Sequence, residues 1–169
     1  STRIVSNSIP SDSSSDSSSD TVPVAPSGGV RCGPYLVTPR PGLDAFLIRC
    51  REFYDLAVWT SATADYAACV LAAFLADVPL VFVWSRERCT RRVDHETREP
   101  YWIKNLEKVR RLGHDLARVL AIDDLPRTYE RNHGNLVRVR PFTGDTEDDE
   151  LAPLATYLES LAAVPDVRR

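Results

Sequence analysis

Methionine is absent from this chain of 169 residues, and the chain opens on serine. Those two facts are the expectation of a processed or trimmed product. No Cys-x-x-Cys occurs among the four cysteines, Cys32, Cys50, Cys69 and Cys89, so a zinc site is not expected. No apolar run approaches the ~20 residues of a membrane span, and no signal-peptide pattern is visible. A formal net charge of −3 gives no whole-chain case for nucleic-acid binding. The expected location is cytoplasmic or nuclear, in a reducing compartment and not secreted.

What the chain does contain suits one domain, by length. A hydrophobic fraction of 43% is enough for a real core. Residues 1–30 differ from the rest. A short apolar piece, Arg3-Ile4-Val5, can form a strand. It precedes SDSSSDSSSD and a Pro/Gly-punctuated continuation, which cannot bury enough surface to offset ordering entropy and read as a disordered loop. Residues 31–164 are the ordered domain, and 165–169 a tail.

The most informative stretch is RVLAIDDLP, residues 118–126. Val119 to Ile122 is an unbroken apolar run, the pattern of a strand buried on both faces. It ends in Asp123 and Asp124 and then a proline that stops pairing. In open α/β sheets ligands gather at the carboxyl ends of strands. Carboxylates there can hold magnesium, which takes one or two of them with water and phosphate oxygens. The alternative is a turn in which Asp123 or Asp124 caps the next helix.

The remaining pattern alternates strands and helices. Pro34 to Thr38 is extended, and Pro41 opens a helix with Leu43, Phe46, Leu47 and Cys50 on its core face. Asp55 to Thr60 is a strand and Thr63 to Leu75 a helix. Leu80 to Trp84 is a strand, and Ser85 to Glu99 is charged and irregular. Apolar Tyr101 to Ile103 leads to Lys104 and a short helix. Leu136 to Val139 is another strand, and Asp148 to Ala163 a closing amphipathic helix. Cys50 and Cys69 sit in apolar helical patterns and read as buried thiols. Such alternation implies a mostly parallel sheet. Three segment ends then carry chemistry: Thr60-Ser61, Lys104 and Asp123-Asp124. A hydroxyl, an ammonium and a metal-binding carboxylate are what phosphoryl transfer needs.

The segments RPGLDAFL, DLAVWTSATADYA, FVWSRERC, YWIKNLEKV, VLAIDDLP and GNLVRVRPFTGDTEDDEL together resemble the small carboxy-terminal-domain phosphatases. These are also called the NLI-interacting-factor-like family, within the haloacid-dehalogenase superfamily. The resemblance runs from about Gly33 to Leu161 with motif order preserved. It implies a Rossmann-like three-layer α/β sandwich and magnesium-dependent removal of phosphate from phosphoserine or phosphothreonine. The implied partner is a phosphorylated protein or peptide, with no nucleic acid and no membrane. By motif, Thr60, with Ser61 beside it, binds phosphate, as does Lys104; Asp123 is the metal ligand and Asp124 its neighbour. Leu125 stands where the family usually has serine.

One departure is serious. The family's nucleophile motif is Asp-x-Asp-x-Thr at the end of the first strand, which is altered or missing here. No Asp-x-Asp precedes Arg31, since Asp12, Asp16 and Asp20 are spaced by four. The best positional match, Ile4-Val5-Ser6-Asn7-Ser8, puts Ser6 and Ser8 where the two aspartates belong. Serine there cannot form the acyl-phosphate or donate strongly to the leaving oxygen. The expected loss is on the order of 10⁴-fold or more in rate. Two functions follow: an impaired phosphatase, or a pseudophosphatase that binds phosphoproteins without chemistry.

Overall fold

The described residues form nine strands and four helices. The computed structural model describes residues 4–7 and 28–169, and of 4–7 the backbone alone. In chain order these elements are β1 (Ile4–Asn7), β2 (Val30–Cys32), β3 (Tyr35–Val37) and α1 (Leu43–Arg51). Then come β4 (Asp55–Trp59), α2 (Ala64–Phe74), β5 (Leu80–Trp84), β6 (Thr90–Val93) and β7 (Pro100–Ile103). α3 (Glu107–Arg110), β8 (Val119–Asp123), β9 (Leu136–Arg138) and α4 (Leu151–Leu161) complete the set. Ser8 and the Ser/Asp-rich stretch lie outside the described residues.

The main sheet has five strands in the order β5-β4-β1-β8-β9, and every neighbouring pair is parallel. All five residues of β8 are buried, as expected of a parallel strand covered on both faces. Alternation along the strands divides the core in two. Leu56, Leu120 and Ile122 pack with Phe46, Leu47 and Cys50 of α1 and with Leu151, Leu154 and Leu158 of α4. Ala57, Trp59, Val119 and Ala121 pack with Leu106, Val109 and Tyr129. The buried Tyr54 hydroxyl donates to the Leu158 carbonyl at 2.6 Å, tying the start of β4 to α4. Arg40 grips Asp148 through Nε and Nη2 at 2.6 and 2.7 Å, joining the approach to α1 to the approach to α4.

Three local expectations are corrected. The stretch from Ser85 to Glu99 is ordered: a 3-10 turn (Arg86–Arg88) is followed by β6, which pairs antiparallel with β7. Its sharp reversal is stitched by Asp94, whose Oδ1 accepts the amides of Glu96 and Thr97 at 2.8 and 3.2 Å, an Asx-type turn. The extended stretch expected at 34–38 holds the strand β3, which pairs antiparallel with β2. Pro41 does not open α1. Gly42, at φ 79°, occupies the left-handed region immediately before Leu43, a conformation that glycine adopts without a Cβ clash. Cys69 is not a buried thiol. It is half-buried and bonded to Cys32, with Cα atoms 5.8 Å apart, and it fastens the β2–β3 hairpin to α2. Cys50 is free and buried, as its pattern implies.

Candidate functional site

Asp123 is the last residue of β8 and 1% exposed. Its Oδ1 accepts the Leu125 amide at 2.9 Å, and its Oδ2 accepts from Lys104 Nζ at 2.9 Å. Lys104 follows directly on β7 and is also 1% exposed. The Lys104 amide donates to the Thr128 carbonyl at 2.8 Å, and its Nζ lies 5.6 Å from the Tyr129 ring centroid. The chain thus reaches Asp123 from a second, antiparallel ribbon, and the two charges meet inside the protein. A buried pair of this kind stands because each charge neutralises the other and both keep hydrogen-bond partners.

Thr60 follows β4 and is fully buried. Its amide donates to the Trp84 carbonyl at 2.8 Å and its Oγ1 accepts the Ala62 amide at 3.0 Å. The Cys89 thiol donates to the Thr60 carbonyl at 3.6 Å. Arg86 Nε donates to the Ser61 carbonyl at 2.6 Å, and the Arg86 amide to the Ala62 carbonyl at 2.9 Å. Three successive carbonyls of the loop from Thr60 to Ala62 are therefore held by one segment, residues 86–89. Sequence reasoning gave Arg86 and Cys89 no role. The only signal was their presence in the FVWSRERC segment.

β4 and β8 both flank β1, so Thr60 and Asp123 stand at the same carboxyl edge, two inter-strand spacings apart, about 10 Å. Ser6 is level with Ala57 and Ala121. It therefore sits two residues short of Asp123 along β8 and three short of Thr60 beyond β4. Asn7 is the last strand residue of β1. Ser8 lies outside the described residues.

Asp124 is half-buried. Burial, first, and the negative Asp123 beside it push its carboxyl above the ordinary carboxylate range. A divalent cation relieves that repulsion, so the two carboxylates fit a hard, oxygen-seeking ion. Among the described residues no three or more His, Cys, Asp or Glu gather as a metal site. Water and phosphate would supply the rest of the shell, as magnesium accepts. Behind the carboxylates a cavity of about 230 Å³ runs under the sheet between Arg40, Leu56, Phe74, Ile122 and Phe142.

A parallel sheet with a buried lysine–carboxylate pair at its carboxyl edge defines an α/β protein with a charged pair held inside the sheet's carboxyl end. The profile of the NLI interacting factor-like phosphatases matches residues 4–168, and the chain belongs to that family. It is 34% identical over 134 residues to the human carboxy-terminal domain RNA polymerase II polypeptide A small phosphatase 1, covering 78% of this chain and 47% of that protein. It is 32% identical over 131 residues to phosphatase Herzog of Drosophila melanogaster, covering 78% and 35%. The chain thus spans less than half the length of these curated relatives. Among solved structures, the fission yeast RNA polymerase II CTD phosphatase Fcp1 bound to beryllium fluoride shares the fold. Its TM-score is 0.52 at 22% identity, over 82% of this chain and 42% of that one. No helix among the described residues is long and apolar enough to cross a membrane.

Proposed function

We propose that this domain recognises phosphoserine or phosphothreonine in a protein or peptide. Thr60, Ser61 and Lys104 hold the phosphate, and Asp123 and Asp124 hold magnesium. The observation that carries this reading is the 2.9 Å Lys104–Asp123 pair, 1% exposed on both sides, at the carboxyl end of β8. A cation kept in so dry a place interacts strongly with any anion admitted beside it. The fold reading that accompanies it is the three-layer sandwich of the haloacid-dehalogenase type, supported by the separate apolar cores on the two faces of the sheet.

Within that site the side chains divide the work. Lys104 neutralises phosphate charge and orients Asp123 through their 2.9 Å contact. Thr60 presents its hydroxyl from a loop whose carbonyls Arg86 and Cys89 hold in place. Bound magnesium would add positive charge against the phosphate oxygens. None of these groups is an in-line nucleophile. By the resemblance Ser6 and Ser8 fall where the family has aspartate, and a serine hydroxyl with no histidine or lysine in its own sequence segment is a weak nucleophile. The chain as it stands is therefore a phosphate-binding domain with little or no turnover, an impaired phosphatase or a pseudophosphatase.

Hydrolysis of p-nitrophenyl phosphate with magnesium, measured beside phosphoserine-peptide binding, tests this. We expect weak peptide binding, lost in Lys104→Ala, and turnover at background. Ser6→Asp with Ser8→Asp should raise turnover together and do little singly, because the two roles act as a unit. Strong magnesium-dependent turnover by the unmodified chain, abolished by Lys104→Ala, would place the nucleophile elsewhere and refute the impairment.

A further inference from the structure

Nine of the 21 Lys and Arg residues fall between residues 86 and 111, against five Asp and Glu, in a chain of net charge −3. The β6–β7 ribbon lies in the middle of that excess. Arg91 is level with Trp102 and Arg92 with Tyr101. Beside the ribbon is an open concavity of about 510 Å³, walled by Arg91, Arg92, His95, Tyr101 and Arg127. Two carboxylates, Asp94 and Glu130, reach the same space, and both are engaged. Asp94 accepts two backbone amides and the Arg127 guanidinium. Glu130 accepts the Tyr101 hydroxyl at 3.2 Å. Arg127 also lies over the Tyr101 ring, 3.6 Å from its centroid, so stacking and Asp94 fix this fork before any ligand arrives. Arg91 and Arg92 are exposed and enter no ion pair among the described residues.

This concavity is next to the Lys104 site. Thr128, adjacent to Arg127, accepts the Lys104 amide. Tyr101 precedes Lys104 by three residues of extended chain, about 10 Å. A peptide whose phosphate meets Lys104 can set a side chain two or three residues away against the ribbon.

The geometry points to a second anion subsite, in which Arg92 and Arg127, both beside Tyr101, take a second phosphate of the same peptide. It rests on the phosphate reading of Lys104 and names the substrate class of that site: segments phosphorylated twice within a few residues. Guanidinium forks bind phosphate by paired, charge-assisted hydrogen bonds, the common solution for phosphorylated motifs.

Two measurements test it. In the first, peptides carrying one phosphoserine, or two separated by two residues, are bound to the wild-type chain and to Arg91→Ala/Arg92→Ala. The variant removes only exposed side chains. The second phosphate should tighten wild-type binding by about tenfold, the value of one charge-assisted hydrogen-bond pair. That advantage should vanish in the variant while single-phosphate affinity is unchanged. No advantage in the wild type, or an advantage that survives the variant, overturns the subsite. In the second, inorganic phosphate is titrated while the arginine Nε–H signals are followed by NMR, in wild type and in Lys104→Ala. Arg92 and Arg127 should respond in both proteins. A response reproduced by chloride at equal ionic strength overturns the subsite. Single-phosphate binding that survives Lys104→Ala overturns the Lys104 reading instead.

Discussion

Replacing Lys104 by methionine keeps most of the side-chain volume and removes the charge. Asp123 then stays 1% exposed with the Leu125 amide still donating to Oδ1, but its Oδ2 loses the ammonium 2.9 Å away. Breaking a buried pair by deleting one partner typically costs about 3–5 kcal/mol, because an uncompensated charge stays inside. For a domain of this length each kcal/mol shifts Tm by roughly 2–4 °C, so a fall on the order of 10 °C is expected in thermal unfolding followed by circular dichroism. The double change Lys104→Met with Asp123→Leu removes both charges and should recover much of the loss, since replacing both partners by apolar groups is often near neutral. A single-variant loss below about 1 kcal/mol, the range of an exposed pair, would refute the reasoning. So would a double variant no more stable than the single one, because the cost would then not be the orphaned carboxylate.

The metal reading predicts weak magnesium binding by calorimetry, lost in Asp123→Ala; tight binding that survives the change would remove Asp123 from the site. At the ribbon turn, the amides of Glu96 and Thr97, then the Arg127 guanidinium, hold the Asp94 carboxyl down from 3.8 to about 2. A group depressed in the folded state stabilises above its unfolded pKa and loses that stabilisation as pH falls through the folded one. The turn should therefore hold at pH 5 and loosen between about pH 4 and 2, read as faster hydrogen exchange at Glu96 and Thr97; exchange insensitive to that range would count against it. Burial pushes the Cys50 thiol up to about 11, with Arg49 opposing only in part. Iodoacetamide at pH 8 should accordingly leave Cys50 unmodified until denaturant is added, and fast alkylation of the native protein would contradict its placement.

Much of the architecture was legible because the patterns that mark it are local. Val119 to Asp123, Asp55 to Trp59 and Leu80 to Trp84 are short apolar runs with clear ends, and each became a sheet strand. The candidate site residues drew attention for the same reason, as polar groups at the ends of such runs. What escaped was set by distant partners. The ribbon of β6 and β7 is held by Asp94, which meets Arg127 from 33 positions away. Its half-buried threonine and exposed arginines carry no hydrophobic alternation, so the stretch read as irregular. The Cys32–Cys69 bond has a sequence separation of 37 and no motif to announce it. Cys69 also lies on a helix whose apolar neighbours, Ala67 and Val70, are buried, which made a buried thiol the natural reading. Arg86 and Cys89 act on the loop carbonyls through the fold alone, and nothing in their own neighbourhood marks that contact.

The Cys32–Cys69 bond also makes part of the molecule a covalent ring. Everything between the two cysteines lies inside it: β3, α1, β4 and the Thr60–Ser61 loop. A protease that cuts once anywhere in that interval opens a strand or helix but releases nothing. The two pieces migrate as one species until a dithiol reduces the bridge, and then separate at the cut. After any single cut the element that carries Thr60 thus stays covalently attached through one of the two cysteines.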